Sequence, residues 1–203
     1  MEMTARGFGR TGGWENYLKQ LEFFHGYLAP GAVMGGFMVD WACEQLRDAE
    51  MINAIAETSK CLPDAIQLLT PCSLGNGWMK ILKGGRFAIT LYDKEKLEGI
   101  RISVDREKLK NYPLINSWFW KKVAKKNNPL APLNAQIIQS GRDILKAERV
   151  QVSAMIAAKE KLALAQICSK CAEPFRSRLQ GICDFCISSY YKKIPHPPAA
   201  GSS

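Results

Sequence analysis

The chain contains no N-terminal stretch in which a basic region, an apolar run and a small-residue cleavage site succeed one another, and no uninterrupted apolar span of about 18 residues. Neither a secretory leader nor a membrane-crossing helix is expected, and the protein is expected in the cytoplasm with no membrane partner. Histidine is scarce, at two in 203 residues. Beyond His25 and Glu57 no side chain stands out as a general base, so catalytic activity by the chain alone is not expected. A specific nucleic-acid readout motif is also missing, so any such contact would rest on charge and stacking.

What is present fits a globular chain. With 47% hydrophobic and 23% charged residues, it can bury a real core, and its length suggests one main domain plus something small. A balance of 28 Lys and Arg against 19 Asp and Glu gives a net charge of +9. That excess suits nucleic acid, an acidic partner or a merely solubilising surface, and charge alone does not choose among them.

Residues 1–13 are Gly-rich and aperiodic, and read as a flexible arm. Over 14–24, Tyr17, Leu18, Leu21 and Phe24 recur three or four apart, a helical period that His25-Gly26-Tyr27-Leu28-Ala29-Pro30-Gly31 breaks. A second helix over 32–47 carries Val33, Phe37, Met38, Trp41 and Ala42 along one side. Residues 51–56 read as a strand covered on both faces, and Pro63 and Asp64 suit the first turn of the helix that follows. Phe87, Ile89 and Leu91 alternate over 86–92, as do Ile100, Ile102 and Val104 over 99–104. These runs predict an antiparallel hairpin whose second strand has one solvated face.

Beyond Pro113 the strand signal stops. A helix is expected over 114–126, and a helix-rich stretch without proline over 134–165. Continuous, the latter would span about 45 to 50 Å at 1.5 Å per residue, whereas a break near Gly141 would fold it back on its own domain. Trp118, Phe119 and Trp120 point about 100° apart on one helix, and a single domain has difficulty covering all three. Residues 113–165 are therefore expected to be a helical linker and dimerisation segment, and the protein a homodimer. Residues 193–203 are expected to be a disordered tail.

Cys168-Ser169-Lys170-Cys171 and Cys183-Asp184-Phe185-Cys186 place four of the seven cysteines in two Cys-x-x-Cys pairs eleven residues apart. Each pair can curl to aim both sulfurs at one point, and two pairs complete a tetrahedron around zinc at about 2.3 Å per bond. Four thiolates leave no open coordination position, which predicts a structural zinc module over 166–192. Two redox dithiols or an iron–sulfur cluster are the alternatives. Lys170, Arg176, Arg178, Lys192 and Lys193 with Phe175, Phe185, Tyr190 and Tyr191 make nucleic acid an alternative partner, although such aromatics more often form a zinc module's small core.

His25, Cys61 and Cys72 fall in three breaks of the main domain, each beside Gly or Pro. They are either scattered buried residues or a three-ligand metal site, with Cys61 at a helix N-terminus that favours its thiolate. Three stretches decide what the chain resembles: 24–31 as quoted above, Glu57-Thr58-Ser59-Lys60-Cys61-Leu62-Pro63-Asp64-Ala65-Ile66-Gln67, and Leu69-Thr70-Pro71-Cys72-Ser73-Leu74-Gly75-Asn76-Gly77. Together with the terminal finger they resemble the FmdE family, whose type member is a subunit of tungsten and molybdenum formylmethanofuran dehydrogenases. The resemblance covers about residues 14–112 and the finger. It implies an α+β fold like the catalytic domain of glyceraldehyde-3-phosphate dehydrogenase, and a zinc-binding accessory role beside a molybdenum or tungsten oxidoreductase. The chain departs from the family pattern His-Gly-His-x-Cys-Pro-Gly at Tyr27 and Ala29, so the second site at His25, Cys61 and Cys72 is expected to be altered. Tyr27, a poor zinc ligand, is expected to line that cleft without bonding metal.

Overall fold

The computed structural model describes residues 5–122, 124, 129–158, 163–177 and 181–191. The chain divides into two compact units, Met1–Ala158 and Lys159–Ser203. The middle segment is therefore no separate linker, and its described parts through Ala158 belong to the first unit.

Residues 1–4 of the expected flexible arm lie outside the described residues, and from residue 5 on the segment is ordered. Helix α1 (Phe8–Thr11) docks by Gly7 N donating to Leu69 O at 2.9 Å and Phe8 N to Asp40 Oδ1 at 2.9 Å. Phe8 sits edge-on to Trp14 and Phe37. Glycine content suggested mobility, but one aromatic anchor and two backbone bonds hold the segment down.

Helix α2 (Trp14–His25) ends at Gly26, whose left-handed backbone (φ 88°) lets its N–H close on Glu22 O. Helix α3 (Pro30–Gln45) is apolar nearly all round and is the buried centre of the unit. Its glycines permit that burial. A Cβ on Gly35 would meet the Ala65 Cβ at 2.9 Å, and one on Gly36 would meet the Tyr17 ring at 2.4 Å.

Five strands form one sheet in the order β2-β1-β3-β4-β5. Strand β1 (Ile52–Ala56) leads through helix α4 (Leu62–Leu69) to the parallel β2 (Met79–Ile81), while β3 (Ala88–Asp93) and β4 (Glu98–Val104) form the expected hairpin, with Ala88 opposite Ser103 and Tyr92 opposite Gly99. Core residues of β1, β3 and β4 cluster with α3 and α4. The expected solvated face of β4 is largely closed, because Ser103 is buried and Arg101 is drawn into ion pairs.

Helices α5 (Pro113–Phe119) and α6 (Leu130–Ser140) follow, and the long helix expected over 134–165 is not formed. Gly141, at φ 50°, ends α6, and β5 (Leu145–Gln151) turns back to pair with β4 from Val104↔Leu145 to Glu98↔Gln151. Pairing with the free edge of β4 overrides the helix preference of Lys146, Ala147, Glu148 and Arg149. Short helix α7 (Ala154–Ala157) closes the unit, where Val152 and Ile156 cover Ile55 and Tyr92. Without a long helix, the middle segment gives no ground for a dimer. Trp118 and Phe119 pack on the core, and Trp120 alone of the three is exposed. Among the described residues no helix is long and apolar enough to cross a membrane.

Candidate metal centre and the His25 cleft

The second unit is built around its cysteines. Strands β6 (Ala165–Ile167) and β7 (Pro174–Arg176) pair antiparallel, and Cys168 and Cys171 occupy the turn between them. Cys168 N donates to Glu173 O at 3.0 Å and Ala172 N to Cys168 O at 2.9 Å, which curls the turn and presents both sulfurs. Cys183 caps the single-turn helix α8 (Asp184–Ile187), on which Cys186 follows. The four Sγ atoms lie within 4.8 Å of one another, with Cys171 and Cys183 at 4.0 Å. Ligands about 2.3 Å from a tetrahedral zinc stand about 3.8 Å apart, so the set closes on such an ion with small adjustment. The cysteines are free thiols, and Cys168 and Cys183 are buried.

Protonation follows from crowding. Cys168 is pushed down to about 6 by the amides of Cys183 and Cys171, and Cys186 is pushed up to about 12 by burial and then by the sulfurs of Cys183, Cys171 and Cys168. Four neighbouring thiols cannot all ionise unaided, and a divalent cation is the partner that lets them. Of the cationic residues expected around the ligands, Arg178, Lys192 and Lys193 lie outside the described residues.

The three main-domain residues expected to share a metal are placed as follows. Among the described residues, the one group of three or more metal-type side chains within reach of a common ion is the finger set, so His25, Cys61 and Cys72 do not converge. Cys61 caps the start of α4 and Cys72 lies beyond its end. The eight residues of α4, about 12 Å of helix, lie between them in the chain. The Cys72 thiol is fully buried, donates to Ile52 O at 3.3 Å, and is pushed up to about 11 by burial. It is a core cysteine.

His25, the last residue of α2, meets instead a residue whose place in the sequence suggested only a first-turn role. Its Nδ1 lies 2.5 Å from Asp64 Oδ2, in the first turn of α4. The Tyr27 ring sits beside it, centroids 5.3 Å apart. Three residues before Asp64, Cys61 is held at φ 63° and ψ −54° while Leu62 N donates to Lys60 O at 2.7 Å. This is a strained γ-turn that residues other than glycine rarely adopt. A Cβ on Gly31 would meet Cys61 Cβ and Sγ at 3.0 Å, so that glycine lets the start of α3 lie against the thiol. The expected helix-end stabilisation of the Cys61 thiolate is outweighed: burial, then the Asp64 carboxylate, pushes the thiol up. Glu57 is no free base either. Burial disfavours its charge, yet Arg101 and Arg86 hold the carboxyl below its ordinary range, with Arg101 Nε at 2.7 Å.

Fold and site together define a mixed α+β protein with a C-terminal four-cysteine cluster suited to metal. A family model described as FmdE, molybdenum formylmethanofuran dehydrogenase operon, matches residues 24–153, and the chain belongs to the FmdE family. Its structure matches the crystal structure of a tungsten formylmethanofuran dehydrogenase FmdE-like protein from Syntrophus aciditrophicus with a TM-score of 0.79, 38% identity, and coverage of 94% of this chain and 100% of that one. A probable S-adenosyl-L-methionine-binding protein of Archaeoglobus fulgidus is 35% identical over 97 residues, which covers 44% of this chain but only 26% of that relative's length.

Proposed function

We propose that the protein is a zinc-binding accessory protein, with zinc held structurally by Cys168, Cys171, Cys183 and Cys186 and no reaction catalysed by the chain alone. The observation that carries this is the meeting of four sulfurs within 4.8 Å. An all-thiolate shell selects a soft or borderline ion and leaves no position for substrate. A module with strands of three residues and a one-turn helix has too little core to fold unaided, so the ion's binding energy is folding energy. The main domain, with Cys72 in its core and His25 committed to Asp64, serves as a binding platform, and one metal per chain is expected. Family membership supports a partner enzyme of the molybdenum or tungsten oxidoreductase class.

Hydrogen exchange tests the structural role. On chelation, amides of residues 165–187 should lose protection while those of β1, β3 and β4 keep theirs. Retained protection in the finger without metal would contradict it. Co-elution with a purified oxidoreductase of that class tests the accessory role, and separate elution at micromolar concentration would count against it.

A further inference from the structure

The described part of the second unit exposes aromatic surface that its cysteine cluster does not use. Rings that formed the core of so small a module would be buried, but Phe185 is 56% exposed, Tyr190 67% and Tyr191 78%. They are organised all the same. Phe185 and Tyr191 lie stacked, with centroids 5.7 Å apart and planes 12° from parallel, and Tyr190 stands edge-on to Phe185. Beside them opens a cavity of about 660 Å³ lined by Phe175, Phe185, Tyr191, Lys170 and Glu173 together with three of the cluster cysteines.

Charge selects the occupant. Residues 159–203 hold seven Lys and Arg against three Asp and Glu. Four thiolates on a divalent ion carry two net negative charges, so the unit stays positive. Lys170, at the cavity, donates to a backbone carbonyl, Cys186 O at 3.2 Å, and among the described residues it forms no ion pair, although Glu173 lines the same cavity. An anionic chain that also offers flat apolar faces matches both features. Nucleobases stack on exposed aromatic side chains, while lysines and arginines attract the phosphates.

We propose that the finger binds single-stranded nucleic acid, with bases stacking on Phe185, Tyr190 and Tyr191 and the backbone drawn by Lys170 and the net positive charge of residues 159–203. A duplex hides its base faces and is a poor ligand for such a surface. This goes beyond the accessory role and does not depend on which metal the cluster holds.

The test is fluorescence anisotropy of the full-length, metal-loaded protein with labelled oligothymidylate and oligouridylate of about 12 nucleotides, within the usual site range. Binding in the micromolar range is expected, at least about tenfold tighter than to a duplex of equal length, because stacking is lost there. Tyr190→Ala/Tyr191→Ala lies beyond the last cysteine ligand and should weaken binding about tenfold or more at unchanged metal content. Tyr191→Phe should keep the affinity. Quenching of tyrosine fluorescence by unlabelled strand reads stacking without any substitution. No binding at about 100 µM strand and low salt, equal affinity for duplex and single strand, or absence of quenching would overturn the proposal.

Discussion

Glu57 and Arg101 show at single-residue scale how a motif residue can be structural. The Glu57 side chain is 5% exposed, and Arg101 spans it and Glu148 through Nε at 2.7 Å and Nη1 at 2.9 Å. Because the folded-state pKa of Glu57 lies below its unfolded value, its contribution is complete above about pH 4.3 and is lost as pH falls through the folded value. Arg101→Met leaves a buried carboxylate to the more exposed Arg86 alone, and should cost about 3 kcal/mol at pH 7 in urea unfolding. The deficit should shrink on acidification below about pH 4, where a protonated Glu57 needs no cation. A deficit independent of pH would show that Arg101 acts by packing.

Among the elements, α3 is the one whose substitution should be felt most. Gly36→Ala drives a methyl into the Tyr17 ring, whose hydroxyl is tied to Ala32 O at 2.7 Å and cannot swing away freely. Overpacking of this kind should lower stability by about 1–3 kcal/mol, read as a lower urea midpoint. Apolar residues at helical spacing made α3 legible in the sequence, a short apolar run did the same for β1, and alternation for the β3–β4 hairpin. Strand β5 was not legible, because Lys146, Ala147, Glu148 and Arg149 favour a helix in isolation and the edge of β4 that recruits them is about 45 residues away. The site divides along the same line. Two Cys-x-x-Cys pairs are local patterns that fix their own geometry, whereas the placement of His25, Cys61 and Cys72 depends on how α2 and α4 pack. A break beside Pro71 grouped Cys72 with them, whereas its thiol is buried in the core against Ile52 O. The pairing of His25 with Asp64 had one available signal, an acidic residue in the first turn of a helix that opens with a motif cysteine.

For the whole molecule, the structure moves the grounds for a dimer. The middle segment is folded into the first unit, but the end of α2 leaves Phe23 93% exposed next to an exposed Phe24. We propose that a second copy covers this face, since adjacent exposed phenylalanines are costly to leave in water. Light scattering should give about twice 22.7 kDa, and Phe23→Ser/Phe24→Ser should return the mass to 22.7 kDa. A wild-type mass of 22.7 kDa would remove the dimer. The metal assignment rests on the four sulfurs, and its most decisive check is the metal content of purified protein by elemental analysis. The wild-type chain should carry one zinc, Cys168→Ser/Cys183→Ser none, and His25→Ala still one. A double cysteine variant with full zinc, or a wild type holding two ions of which His25→Ala loses one, would overturn that assignment.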